Sequence, residues 1–344
     1  MATPKNVLCI RLSALGDVAM TIPVLRTVAA TYPELTLTVV SKKFVAPLFD
    51  EVPNSVFLEA DVYGKHKGIT GLLSLASEAK SLGIDAVADL HNVLRSNVIT
   101  SALGIQGITT ARLDKGRSEK RRLLTANGKP IQPLKSMQQR YAAVFQQLGL
   151  PISLEDHVFP KKKALTPALH QMIGQHTKKC IGIAPFAAHQ GKMYPLERME
   201  AVIASISEAR QYQVFLFGGG AKEGAHLSAW AKRYPNVTNV AGMLAFSEEL
   251  KLISNLDLMV AMDSGNGHLA ALYGVPTLTL WGVTHPYLGF RPFQQPNEHQ
   301  LVSNRDKYPL IPTSVYGNKV PKGYEKVMES IPVELVIKKI KELA

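Results

Sequence analysis

With 344 residues, of which 46% are hydrophobic and 19% charged, the chain is long enough for two globular domains, each with its own core. No apolar run approaches the roughly 18 residues that a membrane-spanning helix needs, which predicts a soluble globular protein. Lysine and arginine outnumber aspartate and glutamate by 39 to 27, and the resulting formal net charge of +12 predicts an anionic partner.

The N-terminus and the two cysteines indicate a reducing compartment. Residues 1–6 lead directly into a strand-like run and lack the basic segment, apolar core and cleavage site of a secretory signal, so we expect a cytoplasmic protein. Cys9 and Cys180 each lie in an apolar run, far apart in the sequence. This placement favours buried reduced thiols over a disulfide or a metal site.

In the first half of the chain, apolar strand-like runs alternate with helix-like runs. This alternation predicts an α/β fold with a parallel sheet covered by helices on both faces. The predicted elements are, in order, a strand at Val7–Leu12, a helix at Asp17–Ala30 that Pro23 kinks or shifts, a strand at Leu35–Val40, a helix at Gly71–Leu82 and a strand at Ala86–Leu90.

Positive charge is concentrated between Ala111 and Lys135, where eight basic residues stand against two acidic ones. The segment suits a membrane surface or a phosphorylated substrate, although a solvated loop is an equal alternative. Nucleic acid is a weaker partner, because no aromatic residues are interleaved with the charges. We expect Arg117, Lys120 and Arg121 to contact the anionic partner.

Loss of periodicity with added charge and proline from Phe159 to Pro167 marks a domain boundary. The second half then repeats the α/β alternation. Its predicted elements are strands at Cys180–Ala184, Gln213–Phe217, Leu258–Ala261 and Thr277–Trp281, a helix at Leu196–Ala209, and further helices after Gly218–Gly220 and after His268. The segment from His285 to Tyr324 is predicted to be irregular, either a lid or acceptor loop or a surface excursion without function.

The first predicted strand ends just before Ser13, Gly16 and Asp17, at the sheet edge where open α/β sheets bind ligands. Asp17 has two interpretations. It can cap the following helix, with a contribution of about 1 kcal/mol, or it can act as a general base. Taken alone, the cap is the more common role of such a residue.

In the second half, small residues between a strand and an apolar helix predict a phosphate site. Asp263, Ser264, Gly265 and His268 open a helix whose free N–H groups can hold phosphate, while a capped turn is the alternative. Glu223, just after a glycine-rich turn, can accept hydrogen bonds from ribose hydroxyls. Lys192 can neutralise a leaving diphosphate, although isolated loop lysines usually have no such role.

Taken in chain order, these segments resemble the heptosyltransferase family, glycosyltransferase family 9. The resemblance rests on Arg11–Asp17 with Thr21–Pro23, Gly191–Pro195, Asp263–Gly265 with His268, and Trp281–Pro286. It extends from Val7 to about Pro286 and returns in a helix at Val333–Leu343. Tyr194 departs from the tryptophan common in this family, and the region from Asn297 to Lys322 follows no family pattern.

The resemblance implies a GT-B architecture of two facing Rossmann-like domains with a cleft between them. Residues 1–165 would bind the acceptor and residues 166–324 a nucleotide-sugar, with a helix in 325–344 packing back on the first domain. It implies an inverting transfer of heptose from ADP-heptose to a lipopolysaccharide inner-core acceptor, at the inner surface of the membrane. The implied roles are Asp17 as base, Lys192, Glu223, Asp263, Ser264, Gly265 and His268 as donor-binding residues, and Ser13, Gly16, His91 and Arg95 as acceptor-binding residues.

No metal or other cofactor is expected, because the histidines show no H-x-x-x-H spacing and the chain has no D-x-D pair. Two other functions remain open on the same scaffold. A nucleotide-sugar epimerase would need no basic acceptor patch, and a non-catalytic nucleotide-sugar-binding protein would tolerate loss of Asp17.

Overall fold

The computed structural model describes residues 3–174 and 178–344. This part of the chain forms two compact units. The first contains the residues up to Lys115 together with Lys135–Phe159, and the second contains Gly116–Leu134 and Pro160–Ala344. Most of the basic segment, which we expected in the N-terminal half, therefore belongs to the second unit.

A parallel sheet of five strands forms the centre of the first unit, within the described residues, in the order β3-β2-β1-β4-β5. The strands are β1 (Asn6–Ile10), β2 (Thr36–Ser41), β3 (Ser55–Glu59), β4 (Ala86–Asp89) and β5 (Thr109–Arg112). Val7 of β1 pairs with Leu37 on one side and Ala86 on the other. The central strands are buried on both faces of the sheet, so nearly all of their side chains are apolar. Such continuous apolar runs are visible in the sequence, which explains why the sequence predicts these strands.

The helices of the first unit cover both faces of this sheet. They are α1 (Leu15–Ala19), α2 (Ile22–Thr31), α3 (Gly68–Ser81), α4 (Leu94–Ile105) and α6 (Met137–Gln147), with a 3₁₀ helix at Lys43–Glu51. The single helix predicted from Asp17 to Ala30 is wrong. The chain forms two helices there, because Pro23 is tolerated only in the first turn and α2 therefore begins at Ile22.

The second unit contains a parallel sheet of six strands among the residues that the structure describes, in the order β11-β10-β9-β6-β7-β8. The strands are β6 (Lys179–Ala184), β7 (Tyr212–Leu216), β8 (Val237–Asn239), β9 (Leu258–Met262), β10 (Thr277–Trp281) and β11 (Gln300–Val302). β11 lies in the segment expected to be irregular. The Trp281 indole at the end of β10 donates a hydrogen bond of 3.0 Å to Oε1 of Gln300, the first residue of β11, and so connects the two strands.

The helices of the second unit include one at the C-terminus that we expected on the first. They are α5 (Arg117–Leu124), α7 (Pro167–Ile173), α8 (Leu196–Glu208), α9 (Gly220–Arg233), α10 (Phe246–Ser254), α11 (Gly265–Leu272) and α12 (Val333–Leu343). α12 packs on α8, because Val336 and Ile340 on its apolar face are fully buried in the core of this unit. No helix in the described ranges is long and apolar enough to cross a membrane.

Each sheet contains a point where the chain reverses its direction of strand addition. In the first unit the chain adds β2 and β3 on one side of β1 and then places β4 on the other. In the second unit it adds β7 and β8 on one side of β6 and then places β9 on the other. Ligands of open α/β sheets bind at the carboxyl ends of the strands that flank such a point. Most of the predicted site residues follow these four strands, whereas Glu223 follows β7, and Arg117, Lys120 and Arg121 follow β5.

Both cysteines are free and buried, as expected. Burial raises the pKa of the Cys9 thiol, and it raises that of Cys180 to about 11.

Candidate functional sites

Asp17 lies at the third position of α1, directly after β1. The helix cap position is occupied by Ala14, so the interpretation of Asp17 as the N-cap is wrong. Oδ2 of Asp17 is 3.4 Å from the backbone N–H of Ala14, a long contact that contributes little to the helix start. The structural role of this carboxylate comes from a different partner.

That partner is Arg11, the residue immediately after β1. Its Nη2 lies 2.6 Å from Oδ2 of Asp17, and its Nη1 donates a hydrogen bond of 2.9 Å to the carbonyl of Leu90. The Arg11 side chain is only 7% exposed and lies over the ring of Tyr141, 6.0 Å from its centroid. Oδ2 of Asp17 is thus held in place, whereas Oδ1 has no hydrogen-bond partner among the described residues.

His91 lies across the reversal point from Asp17, in the loop after β4. Asp89, at the end of this strand, shapes the loop by accepting the N–H groups of His91 and Asn92 at 2.9 and 2.7 Å. Burial, then the positive charge of Arg11, lowers the pKa of His91 to about 3. Nδ1 accepts the N–H of Leu12 at 3.4 Å, so the neutral ring carries its proton on Nε2. His91 can offer a hydrogen bond to an acceptor but no charge.

The other predicted acceptor residues of the first unit lie at the same edge. Ser13 and Gly16 are partly buried between β1 and the first turn of α1, and Arg95 is exposed in the first turn of α4. The guanidinium carbon of Arg95 is 5.5 Å from the ring centroid of Tyr63. The structure therefore brings Ser13, Gly16, Asp17, His91 and Arg95 to one edge of one sheet.

The basic helix α5 does not present all three of its predicted acceptor residues. Arg117 and Arg121 are exposed, but Lys120 is only 5% exposed. Its ammonium lies 4.1 Å from the ring centroid of Phe290, inside the second unit. A buried cation that packs on an aromatic ring stabilises its own unit, so the expectation that Lys120 contributes to an exposed cationic face is wrong.

Lys192 and Asp263 form a buried ion pair at the reversal point of the second sheet. Lys192 follows β6, and Asp263 follows the neighbouring strand β9. The Lys192 ammonium is 2.8 Å from Oδ2 of Asp263 and 3.2 Å from its carbonyl oxygen. The two side chains are 16% and 6% exposed. An ammonium group has three N–H bonds, so one donor remains for a ligand.

Close glycine packing fixes the stem of Lys192. Gly317 has a φ of 82°, and a Cβ atom there would lie 2.5 Å from Cγ of Lys192. The carbonyl of Gly191 accepts the N–H of Val283 at 2.9 Å, and any side chain at Gly282 would collide with that carbonyl. The irregular segment after β11 thus confines the lysine through Gly317. The sequence offered no sign of this contact, because 125 residues separate the two positions.

The phosphate-site motif forms the N-terminus of α11. Ser264 is the N-cap and Gly265 the first helical residue, with no side-chain hydrogen bond from the cap. His268 lies in the same first turns and is 8% exposed. The alternative of a capped turn with Ser264 or Asp263 as its N-cap therefore names a correct cap residue, Ser264, although the Ser264 side chain makes no hydrogen bond to the helix. The partial positive charge of the helix N-terminus lies directly after Asp263, beside the Lys192 ammonium.

Glu223 lies in the first turn of α9, after β7. Its Oε2 accepts the N–H of Gly219 at 2.8 Å, and a cavity of about 580 Å³ opens beside it. The cavity is also lined by Phe186, Gln190, Met193, His226 and five further charged side chains, Glu197, Lys222, Glu325, Lys326 and Glu329. A lining rich in glutamate suits hydroxyl groups better than phosphate. Phe186 and His226 were not predicted, since neither belongs to a recognisable motif.

No group of three or more histidine, cysteine, aspartate or glutamate side chains in the described part of the chain could hold a metal ion. Positive charge at the second sheet comes instead from Lys192 and from the N-terminus of α11.

Several known heptosyltransferases are similar to this chain along most of its length. A lipopolysaccharide core heptosyltransferase from Haemophilus influenzae is 26% identical over 99% of this chain and 97% of its own. Lipopolysaccharide heptosyltransferase 3 of Escherichia coli K12 is 22% identical over 86% of this chain and 92% of its own.

Solved structures show the same fold. A family 9 glycosyltransferase from Veillonella parvula superposes with a TM-score of 0.75 at 20% identity, covering 98% of this chain and 97% of its own. The E. coli ADP-heptose lipopolysaccharide heptosyltransferase II gives 0.68 at 19% identity, covering 98% of each chain. The fold is therefore α/β of the GT-B type, with two Rossmann-like units, as expected.

The model of glycosyltransferase family 9 (heptosyltransferase) matches residues 72–317, well over half of the chain. The resemblance noted in the sequence is thereby confirmed: the protein belongs to glycosyltransferase family 9 and is a glycosyltransferase.

Proposed function

We propose that this protein transfers heptose from ADP-heptose to a lipopolysaccharide inner-core acceptor, with inversion at the anomeric carbon. The observation that carries the proposal is the Lys192–Asp263 pair, which holds a cation at the N-terminus of α11 at a sheet reversal point. The names of the similar proteins support the choice of sugar. They include lipopolysaccharide core heptosyltransferase and an E. coli heptosyltransferase solved with ADP-2-deoxy-2-fluoro heptose.

In this proposal the diphosphate of the donor binds Lys192 and α11. The third N–H of the Lys192 ammonium points to a phosphate oxygen, and the first N–H groups of α11, at Gly265 to Gly267, bind the others. Ser264 and His268 complete this cradle. Asp263 holds the lysine rather than the phosphate, because two like-charged groups repel each other. Glu223 accepts ribose hydroxyls through Oε1, since Oε2 already binds Gly219.

Asp17 is the general base. As the acceptor hydroxyl attacks the anomeric carbon, Oδ1 of Asp17 takes its proton, the new glycosidic C–O bond forms and the C–O bond to the diphosphate breaks. Arg11 orients the carboxylate through Oδ2. The electron pair of the broken bond goes to the diphosphate, whose charge Lys192 and α11 stabilise. These groups supply the positive charge that a metal ion supplies in other enzymes.

The acceptor binds the first unit through Ser13, Gly16, His91 and Arg95. Neutral His91 donates one hydrogen bond, while exposed Arg95 pairs with an anionic group of the acceptor core. Exposed Arg117 and Arg121 of α5 bind further phosphates of the glycolipid. The reaction takes place at the cytoplasmic face of the membrane, with the protein bound peripherally.

The test is release of ADP from ADP-heptose, measured with and without lipid core extracted from a heptose-deficient strain. The expected result is release that depends on the lipid core, with no product from UDP-sugars. Equal release with and without lipid core, or preference for another nucleotide, would contradict the proposal.

A further inference from the structure

Five of the large apolar or aromatic side chains that are exposed on the first unit lie near the carboxyl edge of its sheet. We call them the apolar rim: Phe44, Tyr63, Ile69, Leu73 and Leu94, which are 55%, 70%, 68%, 45% and 81% exposed. Single exposed apolar residues are common, but several of them at one edge of a sheet indicate an interaction surface.

The topology brings the rim to one edge of the sheet. Phe44 follows β2, Tyr63 follows β3, and Leu94 follows β4 as the first residue of α4. Ile69 and Leu73 lie one turn apart in the first half of α3. α3 and α4 pack side by side and run in the same direction, so their first turns share the carboxyl edge. This is the edge that holds Asp17 and His91.

Cations are interleaved with the rim. The ammonium of Lys42 lies 5.0 Å from the Tyr63 ring centroid, on which Arg95 also packs. Lys43 and Lys67 are exposed and pair with no carboxylate in the part of the chain that the structure describes. Lys65 is already paired with Glu78 at 2.9 Å. Exposed apolar groups among unpaired cations are the pattern of a surface that lies in the headgroup region of an anionic bilayer.

We propose that the apolar rim docks this protein on the surface of an anionic phospholipid bilayer. The basic helix α5 is a weaker candidate, because its charges surround no exposed large apolar side chain and Leu123 is only 8% exposed. The apolar rim combines hydrophobic insertion with electrostatic attraction to anionic headgroups. It also places the bilayer beside the edge of the sheet that carries Asp17. The proposed function explains why the protein approaches a bilayer, and the inference rests on the proposed function in this respect alone.

The chain offers a matched control at the opposite edge of the same sheet. Ile105 ends α4 and is 88% exposed, and Leu82 caps the C-terminus of α3 and is 43% exposed. These residues have comparable exposure on the same two helices, but they lie at the amino edge. The rim variant is Ile69→Ser with Leu73→Ser and Leu94→Ser, and the control variant is Leu82→Ser with Ile105→Ser.

Co-sedimentation with phosphatidylcholine vesicles, with and without phosphatidylglycerol, tests the proposal. The wild type and the control variant should bind the anionic vesicles equally, and the rim variant roughly tenfold or more weakly. Lys43→Glu with Lys67→Glu should weaken binding to anionic vesicles only. Equal binding by the rim variant and the wild type would overturn the proposal. So would equal losses in both serine variants, or a complete loss caused by Arg117→Ala, Arg121→Ala and Arg122→Ala alone.

A second readout separates this inference from the proposed function. With a deacylated, water-soluble core acceptor, the rim variant should release ADP from ADP-heptose at the wild-type rate, which also shows that it is folded. With acceptor embedded in vesicles, its rate should fall with its binding. If neither acceptor supports ADP release by the wild type, the proposed function fails while the vesicle result stands. An equal fall on both acceptors would assign the rim to acceptor binding and overturn the docking role.

Discussion

Arg11 and Asp17, on either side of the turn after β1, form an ion pair of 2.6 Å between Nη2 and Oδ2. Arg11 is nearly buried and is itself fixed by the carbonyl of Leu90. A buried guanidinium that binds one carboxylate oxygen also orients the second oxygen, which stays available to accept a proton. The pair therefore gives Asp17 a defined direction at the reversal point of the first sheet, which is what a general base requires.

Lys192→Met should weaken the affinity for ADP by about tenfold to a hundredfold, because it removes the cation of the proposed diphosphate site and leaves Asp263 negatively charged there. Calorimetric titration with ADP measures the effect. The control is Lys179→Met, since Lys179 also pairs with an aspartate, Asp257, at 3.5 Å in the same unit but is 56% exposed at the start of β6. Equal ADP affinity in the two variants would contradict the role of Lys192.

Gly317→Ala should lower ADP affinity through Lys192. The φ of 82° makes any L residue strained by about 1–2 kcal/mol, and the added Cβ would displace the lysine stem. Gly323→Ala is the matched control, because Gly323 has a φ of 83° and open space around its Cβ position. Both variants should melt at a lower temperature, but only Gly317→Ala should bind ADP more weakly. Unchanged ADP binding in both variants would show that the irregular segment does not contribute to the ADP site.

Glu249 should destabilise the protein at alkaline pH. Burial raises its pKa from 4.5 to about 7, so its contribution to stability is present below pH 4.5 and is lost as the pH rises through 7. Glu249→Gln should therefore raise the free energy of unfolding by about 1–3 kcal/mol at pH 8 and change it little at pH 4.5.

The neighbouring Glu248 provides a control of opposite sign. Hydrogen bonds from Lys251 and Thr166 lower the pKa of Glu248, so Glu248→Gln should reduce stability at pH 8. Denaturant unfolding at the two pH values measures both variants. A loss of stability at pH 8 in Glu249→Gln would show that its carboxylate has a stabilising partner.

Turnover should not require a divalent metal ion, because Lys192 and the N-terminus of α11 provide the positive charge that the departing diphosphate needs. The measurement is the rate of ADP release from ADP-heptose in excess chelator. Activity that is lost in chelator and restored by magnesium or manganese would contradict this account of the leaving group.

The sequence predicts the α/β fold because the strands of parallel sheets are apolar on both faces and form short continuous runs. β11 is not predicted from the sequence, because a strand of three residues is too short to show a recognisable apolar run. The amphipathic residues of α12 predict that it packs on a core, but nothing in them selects α8 over a helix of the first unit. Pro23 signals a change in the helix, and only the backbone shows that α2 begins beside it.

The candidate sites are predictable where a motif directly follows a strand, as with Asp17, Lys192 and Asp263. The partners of these residues cannot be predicted from the sequence, because the Lys192–Asp263 pair joins segments 71 residues apart and burial decides its geometry. The misassignment of Lys120 has the same cause, because a basic run does not show which member packs on Phe290. The catalytic and binding roles remain predictions.

Replacing the carboxylate of Asp17, the proposed general base, by an amide tests the mechanism. In Asp17→Asn the shape is kept and the proton acceptor is lost, so transfer should fall by roughly 10²- to 10⁴-fold. The affinity for ADP, whose proposed site lies in the second unit, should stay unchanged. Losing the charge opposite Arg11 should also lower stability by about 1–3 kcal/mol.

The control for that stability loss is Asp85→Asn, because the Asp85 carboxylate accepts the N–H groups of Lys5 and Asn6 at the amino edge of the same sheet. The decisive measurement is steady-state heptose transfer by Asp17→Asn and Asp85→Asn, well below their melting temperatures. Only Asp17→Asn should lose transfer, while both variants should bind ADP normally. Near-normal transfer by Asp17→Asn would contradict the role of Asp17 as the base and leave it as the structural partner of Arg11.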